Sequence, residues 1–185
     1  MDRKINIIED LDGKKTVLIQ DITFCGRRSI DWDDVEKYLE QFIDDIYTIA
    51  ETGDEIYIGS DLPSEYTGSK YTRKLKGSVA KAKANATQGI PELIEIATNT
   101  SFEENRKHKH RKDAKLGWYR YDTRFALPVF DENGDIERYN VFNALILIRH
   151  DQNGKKYLYD IFNNVKKEIS SQPKELYDFD KKLYA

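Results

Sequence analysis

Two histidines, His108 and His110, stand in a basic run that passes without a break into an aromatic strand, HKHRKDAKLGWYRYDTRFALPV, residues 108–129. A histidine among lysines has its protonated form disfavoured by its neighbours, so it is a ready base near neutrality. Such a base can take the 2′-hydroxyl proton of RNA while arginine or lysine stabilises the phosphorane. In that chemistry His110 is the candidate base, His150 the candidate acid, and Arg120 and Arg124 the phosphate ligands. The same residues also suit binding without reaction. Lys109, Arg111 and Lys112 can neutralise phosphates and Trp118 can stack on a base, or the run can simply be a solvated loop. No carboxylate pair, Ser-His-Asp order, phosphate-cradling glycine loop or zinc spacing accompanies them. No metal or cofactor is expected.

The strand that must position these groups alternates with period two. Trp118, Arg120, Asp122, Arg124 and Ala126 point one way; Tyr119, Tyr121, Thr123, Phe125 and Leu127 point the other. The second set is the better core face. A presented row of Trp118, Arg120 and Arg124 remains, which is either a surface ion-pair row or an anion site with a stacking platform.

The other elements follow from periodicity and turn signals. KINIIE and TVLIQ, joined across Asp12-Gly13, predict a β-hairpin. A helix is expected from about Trp32 to Glu51, with Val35, Leu39, Phe42, Ile43, Ile46 and Ile49 on its apolar side. Asp34, Glu40 and Asp44 give that helix an acidic face, which is either solvated or meets a basic partner. EIYIGS reads as a short strand, Lys70–Ala86 as a helix with lysines on its outer faces, and PELIEIAT as the start of a third helix. Residues 101–115 are loop or charged helix. Strands then run over 117–130, 136–150 and 156–168, separated by DENGD and DQNGK. The expected class is α+β: an N-terminal hairpin and helix, then helices on one face of an antiparallel meander sheet. The domain reading is an acidic annex over 1–56, the α+β domain over 57–170 and a polar tail over 171–185.

Charge is strongly segregated. Residues 1–56 hold 15 Asp/Glu against 7 Lys/Arg, 57–128 hold 8 against 14, and 129–185 hold 10 against 9, for a net of -3. A general nucleic-acid binder is excluded; a local basic patch is not. One cysteine, Cys25, read as half-buried beside a turn, allows no internal disulfide. Without a signal-like or membrane-length apolar run, the expected location is the cytoplasm, with no membrane partner.

The stretch YIGSDLPSEYT…AKAKANATQGIPELIEIAT…ENRKHKHRKDAKLGWYRYDTRFALPVFDENGDIERYNVF…LIRHDQNGKKYLYDIFNNVKKE, about residues 55–170, resembles a known family. It is similar to the polyvalent-protein-associated domains of very large phage and conjugative-element proteins in Firmicutes. Those domains occur beside nuclease-like modules of the barnase, EndoU, colicin and RelE type. The resemblance implies a mobile-element origin and a helices-then-sheet fold. It maps Asn105, His110, Trp118, Arg120, Tyr121, Arg124, Lys166 and Lys167 into the family's motif stretches. Two departures from the family pattern are read here: a domain expected to stand alone behind an acidic N-terminal segment, and KKEISSQP in place of the usual KKET-proline ending.

Two functions are expected from different classes. One is a non-enzymatic binding protein that disarms a host defence nuclease or its nucleic-acid complex, in the manner of an anti-CRISPR inhibitor. Its contacts would be the acidic helix and RNA or DNA through residues 106–124. The other is a small metal-independent ribonuclease-like effector built on His110, His150, Arg120 and Arg124, or an RNA-binding accessory domain.

Overall fold

Two turns of one design set the centre of the sheet. In each an aspartate accepts two backbone N–H bonds: Asp131 Oδ1 from Asn133 and Asp135, and Asp151 Oδ1 from Asn153 and Lys155. Gly134 and Gly154 follow the asparagines in the left-handed region, at φ 82° and 83°. The turns join strands β6 (Gly117–Phe130), β7 (Ile136–His150) and β8 (Lys156–Lys167), which pair antiparallel. The computed structural model describes residues 3–9, 13–26, 28–167 and 172–173, with backbone alone for 108, 162–167 and 172–173. Apart from Gln172 and Pro173, the expected tail over 171–185 lies outside the described residues, as does Asp12 of the first turn.

Five further strands join the sheet. They are β1 (Ile5–Glu9), β2 (Lys15–Ile19), β3 (Ile46–Thr48), β4 (Glu55–Tyr57) and β5 (Thr98–Glu103). The order is β1-β2-β6-β7-β8-β4-β3, and β5 adds to β6. The class is mixed α+β as expected, but the sheet is not purely antiparallel. β2 runs parallel to β6, with Val17 opposite Phe125, and β4 runs parallel to β8, with Ile56 opposite Lys156. A two-residue strand β9 (Gln172–Pro173) pairs with β7.

The helices are shorter and more numerous than the periodicity predicts. Helix α1 covers only Trp32–Leu39; Asp31 caps it by accepting from the N–H groups of Asp33 and Asp34. A 3-10 turn over Glu40–Phe42 follows, and Asp44 then takes a left-handed φ of 73°. The chain continues as β3, and Ile46, expected in the core, is 51% exposed. The β-branched run there can form either element, and pairing with β4 decides for strand. Likewise the expected helix over 70–86 is three pieces with its lead-in: α2 (Leu62–Gly68), α3 (Lys70–Lys74) and α4 (Gly77–Ala86). Helix α5 (Ile90–Glu95) precedes β5, a strand the polar sequence did not suggest.

Residues 123–128 of β6 are buried on both sheet faces, and the alternation of the strand sorts them between two clusters. Tyr121, Phe125 and Leu127 join the main core with Val17, Ile19, Val35, Ile146 and the alanines of α4. Leu18, Ala126, Tyr139 and Val141, one residue out of phase, form a smaller cluster with Ile8 on the opposite sheet face. Asn85 fastens α4 to the loop after β2: its Oδ1 accepts from the N–H groups of Thr23 and Phe24, and its Nδ2 donates to the Phe24 carbonyl. Cys25 in that loop is exposed rather than half-buried. Among the described residues no helix is long and apolar enough to cross a membrane.

Gly117 opens β6 at φ 105°, and Phe102 of β5 lies over it. A Cβ there would collide with the Phe102 ring and lie 2.9 Å from the Glu103 carbonyl oxygen. Gly117→Ala is expected to cost about 2–3 kcal/mol through strain and displacement of β5. An unchanged urea midpoint would contradict this.

Candidate functional site

The loop between β5 and β6 is organised by one amide. Asn105 Nδ2 donates to the His110 carbonyl at 2.9 Å, and its Oδ1 accepts from the Lys107 N–H at 3.1 Å and Trp118 Nε1 at 3.3 Å. This ties the 3-10 turn at His108–His110 to the first residues of β6. Arg149 anchors the far end of the loop, donating from Nη1 to the Asp113 carbonyl at 3.3 Å. Its other terminal nitrogen holds both oxygens of Asp61, at 3.2 and 3.1 Å. The guanidinium lies over the Tyr157 ring, 4.2 Å from its centre, while its Nε is buried without a partner among the described residues.

Inside this frame is a cavity of about 330 Å³, lined among others by His110, Trp118, Arg120, Tyr159 and Asp160. His110, Trp118 and Tyr159 meet edge to face, with ring centres 5.0–5.4 Å apart. Tyr159 donates to Glu65 Oε2 at 2.7 Å and lies 3.4 Å from His110 Nε2. His110 is 6% exposed, and its Nδ1 is buried without a hydrogen-bond partner among the described residues, 3.9 Å from Asp113. Burial, then the Lys109 charge, pushes the imidazole below its ordinary pKa, which favours the neutral ring. Burial and the Glu65 carboxylate push the Tyr159 phenol well up, so it is a donor rather than an acid.

Beneath the cavity lies an ion pair. Lys83 of α4 is wholly buried, with Nζ 3.0 Å from Asp160 Oδ1 of β8 and 2.7 Å from Thr72 Oγ1. Its ammonium also sits 4.7 Å from the centre of the Tyr66 ring, whose hydroxyl donates to the Lys83 carbonyl at 2.6 Å. Burial lifts the Asp160 carboxyl to about 6 against the pull of Lys83. Burial lowers Lys83 against the pull of Asp160.

The sequence-predicted residues divide between sites. His110, Trp118 and Arg120 come together at the cavity with Asn105, but Trp118 is half-buried against His110 and Tyr159 rather than a free platform. Arg120 Nη1 is paired with Glu103 Oε2, and Arg120 is the main cause that holds that carboxyl below its ordinary value. Arg124 is 5% exposed and donates to Thr16 Oγ1 at 3.0 Å, so it does not belong to a presented row. The parallel docking of β2 on β6 covers it. His150 contacts the Gly154 carbonyl oxygen at 3.2 Å and does not line the cavity. Lys109, Arg111 and Lys112 are exposed. Asp34, Glu40 and Asp44 are exposed too, but no single helical face carries them, because α1 ends at Leu39. The side chains of Lys166 and Lys167 lie outside the described residues.

Sequence reasoning missed Glu65, Lys83, Tyr159 and Asp160. A usable signal was there: Lys83 stands among alanines, and Asp160 interrupts the aromatic and aliphatic run YLYDIF, residues 157–162. Lys83→Met alone leaves the carboxylate unpaired and is expected to cost about 3–5 kcal/mol, most of it recovered when Asp160→Leu is added. Equal destabilisation of the single and double variants in urea would contradict the pairing. The raised carboxyl also has a sign. Between about pH 4 and 6 the native chain keeps a proton that the unfolded one has lost, so this group's stabilisation, present at low pH, fades as pH rises. Carbon-13 titration should find the Asp160 carboxyl midpoint near 6 rather than 3.8.

Compared with family models, curated proteins and solved structures, the chain matches none.

Proposed function

We propose that this chain is a non-enzymatic binding protein that inhibits a host nucleic-acid-handling nuclease by holding the nucleic acid of its complex through residues 106–124. One observation carries the reading. Arg106, Lys107, Lys109, Arg111, Lys112 and Lys115 are all exposed on the loop between β5 and β6. None has a carboxylate within ion-pair distance among the described residues. Most of them line an open cavity of about 610 Å³. Unpaired cations on a loop fixed at both ends suit a phosphate backbone, whose counterions they release on binding. The host-defence role and a mobile-element setting rest on the sequence resemblance and the acidic balance of the chain.

A second reading, metal-independent ribonuclease, is favoured by His110 and Arg120 sharing one cavity with Tyr159. The separation of Arg124 and His150 from that cavity weighs against the four-residue mechanism expected from sequence.

Fluorescence anisotropy on labelled single-stranded RNA and DNA separates the two. Wild type is expected to bind and leave the strand intact in EDTA. The variant K109E/R111E/K112E is expected to bind about 100-fold more weakly and with a shallower salt dependence. Equal binding by that variant would remove the basic loop from the reading, and cleavage abolished by His110→Ala would replace it with the ribonuclease.

A further inference from the structure

The cavity beside His110 and the more open basic one share Asn105, Arg106 and Lys107 in their walls. A strand lying across the basic loop therefore passes the mouth of a hole lined by side chains of opposite character. Arg106 and Lys107, at its mouth, are exposed cations, while Asp160, which also lines it, is only 6% exposed. Trp118 and Tyr159 supply aromatic wall between them. The volume, about 330 Å³, falls at the small end of ligand pockets, which span about 300–1,000 Å³.

The carboxylate discriminates by its acceptors. Asp160 receives Lys83 Nζ and the Ile161 N–H, and both fall on Oδ1. A carboxylate oxygen accepts two bonds, so Oδ2 provides the further acceptor positions. The amino groups of cytosine, adenine and guanine donate to such an acceptor; the uracil O4 carbonyl in the same place would repel it.

We propose that this cavity binds one nucleotide with an amino-bearing base, its phosphate on Arg106, Lys107 and Arg120 and its amino group on Asp160. The proposal rests on the nucleic-acid reading above and names the part of the strand that is recognised. Glu103 already holds Arg120, so it competes with the incoming phosphate. Its side chain is 52% exposed and free to swing into water when displaced.

The test uses the intact chain and calorimetric titration with CMP, UMP and inorganic phosphate. CMP is expected to saturate and to bind about tenfold more tightly than UMP, from which it differs in the 4-amino group and in lacking the N3 proton. Glu103→Gln, a change on an exposed side chain, is expected to tighten both nucleotides several-fold, and Arg120→Ala to weaken both. Asp160→Asn, with folding checked by circular dichroism, is expected to erase the difference between CMP and UMP. Equal affinity for CMP and UMP in wild type, binding of phosphate as tight as CMP, or no saturation by any of them overturns the proposal. Strand binding that persists in those cases leaves the proposed function standing. Loss of strand binding in K109E/R111E/K112E with CMP binding kept shows that the two sites are separate.

Discussion

The Lys83–Asp160 pair is the constraint on which the site depends. It joins a helix to a central strand below the cavity, where neither charge has enough water to stand alone. Four of the ten residues of α4 are alanines, all of them buried, which lets its backbone approach the sheet closely. At that distance a lysine has only the interior to enter, and it finds Asp160, Thr72 and the Tyr66 ring. An apolar pair of similar volume would hold the layers as well or better, since buried ion pairs seldom repay their desolvation. What the pair adds is geometry: it fixes which face of α4 meets β8 and keeps a carboxylate at a depth where burial would otherwise exclude it.

The basic loop is built on the opposite principle. Its charges stay in water, and its backbone is what the protein holds. Asn105 and Arg149 each bond a carbonyl of the loop, and Ala114 donates back to the His110 carbonyl. A loop fixed in this way loses little conformational freedom on binding, so its cations are more effective than the same cations on a floppy segment.

Legibility in the sequence followed the range of the interactions. The meander over β6, β7 and β8 depends on local turn chemistry, and DENGD and DQNGK announce it directly. The core face of β6 was legible from its alternation, and His110, Trp118 and Arg120 were legible as neighbours because they are close in sequence. Contacts set by distant chain were not legible. Arg124 is enclosed by Thr16, over 100 positions away, and no local pattern marks that docking. The helical period over Val35–Ile49 was real but ran into β-branched residues that found a strand partner in β4. Asp160 and Glu65 entered the site through tertiary packing alone, one from a strand and one from a helix.

The two parallel junctions have a consequence for how the chain is made. Val17 meets Phe125 and Ile56 meets Lys156, so each N-terminal hairpin waits for about 100 residues of further chain before its strand partner exists. On a ribosome adding about 5–20 residues per second, that interval lasts many seconds. During it, β2 and β4 carry apolar side chains and open backbone edges with nothing to cover them. The three-strand meander, made last and from neighbours in sequence, is the part best suited to form quickly and then capture the waiting hairpins. In this topology the strands made early are those that wait longest for their neighbours in the sheet.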